Sequence, residues 1–236
     1  MPFKFYLTMS AIQQSTIDFI KKLNVNNNRD WFTENKTSYQ KEHELFISFA
    51  DELLVGINKS DHIETPTGKK SVFRIYRDVR FSKNKTPYKN HFSGSFKRAT
   101  KELRGGYYFH IEPGNSFIGG GFWGPNPKDL LRIRKEISLD AEELKTIIKS
   151  KEFVTTFGSL DGDRVKTVPR GFDRNHPDID LLQLKQYIIS KKFSDKEVLS
   201  ANFSDKIIKT FKTMRPFFDY MSEVLTTDEN GISLYE

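Results

Sequence analysis

The chain contains no cysteine. That excludes disulfides, thiolate zinc sites, redox dithiols and cysteine nucleophiles together, and it accords with a reducing compartment. No apolar run approaches the roughly 20 residues that a membrane-crossing helix needs. The first ten residues hold one lysine, Lys4, and their apolar stretch is too broken for a secretory h-region. A cytoplasmic protein with no membrane partner is therefore expected, with Met9 a candidate true start and residues 1–9 an unstructured or mis-assigned one. Internal repeats, low-complexity tracts and clear linkers are also missing, so residues 1–236 read as a single domain with ample material for a phenylalanine-rich core.

Acidic residues are scarce in one segment only. From Lys69 to Arg104, twelve Lys or Arg meet two acids, Asp78 and Glu102, a net +10; the remaining residues hold 26 bases and 29 acids. A basic excess confined to one stretch, interleaved with aromatic residues, marks a place where an anion is met.

The first sixty residues show helical spacing in Ile12, Thr16, Phe19, Ile20 and Leu23, and again from Trp31 to Leu54. Ser71–Phe81 then alternates with period two, with Arg77 falling on the apolar side. Asn90–Arg98, Gly106–Glu112 and Ser116–Trp123 also read as strands, the last two flanking a turn at Pro113-Gly114-Asn115. Asn126 and Pro127 suit the cap and first position of a helix, and Ser138 suits the cap of the next. Asp161–Pro177 is a loop, Pro177 opens a short helix, Tyr187–Phe193 is a strand, and Ser204–Leu225 closes with an amphipathic helix. Strands clustered between helical ends imply an α+β fold: a mostly antiparallel sheet in the middle of the chain, packed by N-terminal and C-terminal helices.

The familiar catalytic signatures are absent. There is no G-x-S-x-G elbow, no H-E-x-x-H pair, and no evident glycosidase carboxylate pair. Gly68-Lys69-Lys70-Ser71 lacks the earlier glycine of a phosphate loop and has Lys where Ser or Thr belongs. Gly119-x-Gly121-x-x-Gly124 matches a dinucleotide fingerprint in letters, but it follows a hairpin strand instead of opening a βαβ unit. Its glycines serve better to let Phe122 and Trp123 pack closely.

What remains is a cationic site. Arg77, Asp78 and Arg80, followed by Lys85, Tyr88 and Lys89, would gather bidentate and point-like cations around a short path. Arg77 has an equally good structural reading, paired with Asp51 or Glu52. Arg170, Asp173 and His176 form a second constellation; His176 is the candidate catalytic acid/base and Arg170 a further ligand contact, with helix capping as the plain alternative. His91, His110 and Glu112 could ligate a metal only if their strands are neighbours, and scattered histidines are more often hydrogen-bonded residues, so neither metal nor cofactor is expected.

The run Arg77 to Lys89, the strand Gly105-Gly106-Tyr107-Tyr108-Phe109, Arg170-Gly171-Phe172 with His176-Pro177, Arg29-Asp30-Trp31-Phe32 and Gly121-Phe122-Trp123 together resemble the family catalogued as domain of unknown function 2461. The resemblance spans nearly the whole chain. It implies one conserved-hypothetical domain and supplies no substrate. Where that family usually carries Asp before Lys-Thr/Ser-Pro-Tyr, this chain has Asn84. The expected partner is an anionic, phosphate-bearing small molecule or, alternatively, nucleic acid; a third reading is an interaction protein whose basic strand docks an acidic partner. Oligomeric state and enzymatic activity are open at this level.

Overall fold

Local sequence chemistry sets the first helices of the computed structural model, which describes residues 11–228 and 230–235. Helix α1 (Gln14–Val25) buries Thr16, Ile17, Phe19, Ile20 and Leu23 and stops at the asparagine run. Asn28 caps α2 (Arg29–Glu34), its side chain accepting from the Trp31 amide at 3.0 Å. Helix α3 (Lys36–Ile57) presents Phe46, Phe49, Ala50, Leu53 and Leu54 inward, and a short turn, α4 (Gly68–Ser71), follows.

Strands β1 (Phe92–Lys97), β2 (Gly106–Ile111), β3 (Ser116–Phe122) and β4 (Tyr187–Phe193) form an antiparallel sheet in the order β1-β2-β3-β4. Between β3 and β4 run α5 (Pro127–Leu139), α6 (Glu142–Lys149), α7 (Lys151–Phe157) and α8 (Ile179–Leu182). After β4 come α9 (Asp195–Val198) and α10 (Phe203–Thr226). Helices from both ends of the chain pack on the central sheet, so the fold is α+β as expected.

The sheet has two unlike faces, because side chains alternate along each strand. One face is dry. Phe92 and Phe109 lie 5.2 and 5.6 Å, ring to ring, from Phe46 of α3, and Tyr107 lies 4.8 Å from Phe211 of α10. Burying each such ring contributes about 1.5–3 kcal/mol relative to exposing it. The other face carries Ser93, Ser95, Tyr108, His110, Phe117, Gly119, Ser190 and Lys192. The outer edge of β1 is met by isolated pairs, Val72 with Gly94 and Ile63 with Arg98; that of β4 by Asp161 with Ile188.

Several expectations need correction. Ser71–Phe81 is not a strand: Val72 pairs with Gly94, then the chain folds back on itself, with Arg77 donating to the Pro87 carbonyl and Lys89 to that of Ile75. Its alternation did not mark a buried face, since of its alternating apolar residues Phe73, Ile75, Val79 and Phe81 only Ile75 is buried, while Phe81 is 97% exposed. Ser138 lies in the last turn of α5, and α6 begins after Asp140, whose side chain accepts from the Glu142 amide. The short α8 starts at Ile179, two residues after Pro177. The reading of residues 1–9 falls outside the described residues. Among the described residues, no helix is long and apolar enough to cross a membrane.

Candidate functional site

The helix-free face of the sheet is the floor of an open groove of about 1110 Å³. Ser95, Tyr108, Phe117, Gly119 and Ser190 lie along the floor, with Trp123, Asp161, Asp163 and Gln186 on the rim. Trp123 is 71% exposed, unusual for so large an apolar ring. Gly119 keeps the floor flat: a Cβ there would meet nothing closer than the Ile189 carbonyl at 3.4 Å, so the space above it is free.

A compact polar cluster closes one end of this face. The register that sets Ser93 opposite His110 brings the residue before β1, His91, beside the β2 histidine, with ring centroids 4.0 Å apart. His110 Nε2 stands 3.0 Å from Glu112 Oε2, and its Nδ1 is 2.9 Å from the Tyr108 hydroxyl. Phe117 stacks on the His110 ring at 4.7 Å. Asn90 and Asn115 both donate to the Glu112 carboxylate, and the Asn90 amide oxygen lies 3.3 Å from His91 Nδ1. Tyr108, Phe117 and Asn115 line the groove, so cluster and groove are continuous.

Burial sets the protonation states here. It pushes the His91 imidazole down to about 4, reinforced by His110, Lys89 and Arg77 and opposed by Glu112. Burial also lowers His110, against the hydrogen bond it makes to Glu112. Burial alone would raise the Glu112 carboxyl, but hydrogen bonds with Asn115 and His110 outweigh it and hold it below its ordinary value. At neutral pH the cluster therefore holds two neutral imidazoles and a carboxylate.

The basic segment runs alongside. Lys89 and Arg77 stand close enough for their charge to depress His91. The Lys89 ammonium lies 5.3 Å from the Phe73 ring centroid, and Phe73 lies 6.4 Å from Tyr108. Burial, then Arg74, lowers the Lys89 pKa. Arg77 does not pair with Asp51 or Glu52; its guanidinium bonds neutral oxygens, the Thr86 carbonyl at 3.0 Å, the Thr86 hydroxyl and Ser82. Asp51 instead accepts from the Gly68 amide. Among the described residues neither Lys89 nor Arg77 forms an ion pair.

The other expected contacts are placed differently. Arg80 is exposed and held by Asp78 at 2.7 Å, while Lys85 donates to the Val79 carbonyl at 2.9 Å. Tyr88 is buried, its ring stacked on Phe32 at 3.9 Å. His176 Nδ1 accepts from the Asp178 amide at 3.0 Å and its Nε2 lies 3.2 Å from the Ser138 carbonyl, so the ring ties α5 to the start of α8 in a capping role. Arg170 is an exposed loop residue in the same region. The Arg77–Lys89 turn rests instead on the connection between α1 and α2, where Asn27 and Tyr88 exchange hydrogen bonds, and on Phe32 of α2. The two constellations thus sit on different elements.

Sequence reasoning did not identify the groove. Phe117, Gly119 and Lys192 come together only through the β3–β4 pairing, which crosses a long helical excursion. A search of curated proteins and a search of solved structures gave no match. The family model described as "Conserved hypothetical protein (DUF2461)" matches residues 15–220, nearly all of the described fold and every residue of the cluster and groove, and the chain belongs to that family.

Proposed function

We propose that the protein binds a phosphate-bearing small molecule on the open face of the sheet, in the cytoplasm. The anionic group would lie at Lys89 and Arg77, and the body of the ligand in the groove beside Tyr108, Phe117 and Trp123. The observation that carries this reading is Lys89: a half-buried ammonium which, like Arg77 near the same His91, has no carboxylate partner among the described residues. A partly desolvated charge without a counter-charge is costly, and an incoming anion relieves that cost. Arg80 and Lys85 have less to offer, since one is already neutralised and both are exposed.

Nucleic acid is the second reading. The concave, partly apolar groove favours a small ligand over it, because single strands are tracked by extended basic surfaces.

The test is thermal denaturation across a panel of nucleotides and sugar phosphates. A ligand at 100 times its dissociation constant should add about 2.7 kcal/mol of stability. Lys89→Ala and Arg77→Ala should each remove that shift, whereas Arg80→Glu and Lys85→Glu should retain it. A silent panel, or a shift that survives Lys89→Ala, would overturn the reading.

A further inference from the structure

We infer that His91, His110 and Glu112 form a binding site for a divalent transition-metal ion, through one ring nitrogen of each histidine and one carboxylate oxygen. Their candidate ligand atoms all lie within 4.8 Å of one another. Atoms bound about 2 Å from a common zinc ion are separated by about 3.3 Å, so modest side-chain rotation closes the set. His110 and Glu112 already meet at 3.0 Å.

Three further observations point to a metal. First, the groups around the three residues are those that orient ligands: Tyr108 holds the far nitrogen of His110, Asn90 lies against His91, and Asn90 with Asn115 fixes Glu112. Such partners set ring orientation and tautomer in metal centres. Second, a metal can replace a proton here. Without metal, His110 Nε2–H donates to Glu112 and the tyrosine hydroxyl donates to Nδ1. With metal on Nε2 the imidazole takes its other tautomer and Nδ1–H donates to the Tyr108 oxygen, so both ring nitrogens of His110 keep a partner. Third, the two imidazoles lie together at 4.0 Å in a partly buried position, an arrangement suited to neutral rings sharing an electrophile.

The donor set also selects the metal. Two nitrogens and one carboxylate fit Zn²⁺ or Co²⁺ with a position left open, as in catalytic centres. A hard cation such as Mg²⁺ or Ca²⁺ needs more oxygen ligands and more negative charge. The positive charge of Lys89 and Arg77 nearby disfavours ions held mainly by charge. This site requires neither cation, so it stands independently of the phosphate reading.

The experiment is titration of the chelator-treated full chain with Zn²⁺, Co²⁺, Mg²⁺ and Ca²⁺, followed by calorimetry and, for Co²⁺, by visible absorption. One equivalent of Zn²⁺ or Co²⁺ should bind, with the intense cobalt bands of a four-coordinate site, and Mg²⁺ and Ca²⁺ should not compete. His91→Ala and Glu112→Gln, checked for native circular dichroism, should each weaken binding at least tenfold. Tyr108→Phe should weaken it by about 10- to 100-fold while keeping the stoichiometry. Lys89→Ala should leave metal binding intact, which separates this result from the phosphate test. Absence of stoichiometric binding, or affinity unchanged in His91→Ala, overturns the site. Should that variant not fold, unchanged affinity in Tyr108→Phe overturns it.

Discussion

Arg98→Ala should lower the unfolding free energy by about 3–5 kcal/mol, the cost of breaking a buried ion pair from one side. The Arg98 side chain is fully buried and bonds Asp61 at 2.7 Å, with Asp61 itself 2% exposed. Asp219 of α10, the Arg104 carbonyl and the Ser222 hydroxyl take its remaining donors, and the Tyr107 hydroxyl donates to the same Asp61 carboxylate. Arg215 approaches Asp61 at 3.6 Å and Asp219 at 3.2 Å, so two cations and two anions balance. Alanine at position 98 would leave Asp61 charged, buried and underpaired. Chemical denaturation should show a lower midpoint with an unchanged slope. Replacing both partners, Arg98→Met with Asp61→Leu, should recover most of the loss, because apolar groups of similar volume need no counter-charge. A single variant within about 1 kcal/mol of the parent would mean that Arg215 alone neutralises Asp61.

Gly121→Ala should destabilise on the order of 3 kcal/mol, whereas Gly119→Ala should stay within about 1 kcal/mol of the parent. The two glycines are neighbours on one face of β3, yet their constraints differ. Gly121 has φ +122°, a backbone region that side chains rarely adopt, and a Cβ there would fall 2.2 Å from the Tyr187 carbonyl oxygen. That oxygen belongs to the adjacent strand and cannot turn aside. The nearest atom to a Cβ on Gly119 is 3.4 Å away, and the added methyl would occupy only the groove floor. Thermal melts of both variants decide the point; equal losses would show that Gly121 owes its place to something other than conformation.

Features written in neighbouring residues were legible from the sequence. The α10 helix, the hairpin at Gly114 and the Asn126 cap on α5 each follow from spacing or from one side chain meeting a nearby amide. Features depending on pairing across distance were not. His91, His110 and Glu112 were visible as residue types, but their meeting depends on the β1–β2 register. The buried arginine was anticipated in kind and misplaced in position: Arg98 fills the role considered for Arg77, and its partner Asp61 sits in the loop after α3, 37 residues away. No local pattern links those two. The alternation in Ser71–Phe81 misled because a chain folding back on itself can alternate without having an inner side.

The crossing segments at the margins of the sheet bear on how copies of this molecule treat one another. An unprotected outer strand offers a row of amides and carbonyls on which another chain can grow, the usual start of fibrous self-association. Here the β1 margin is taken at Gly94 and again beyond its end at Arg98, and the β4 margin is taken at Ile188. Past Ile188 that strand bears Lys191 and Lys192, whose like charges repel a second copy presenting the same row. A sheet with an open groove on one broad surface is thereby guarded along its sides against accretion.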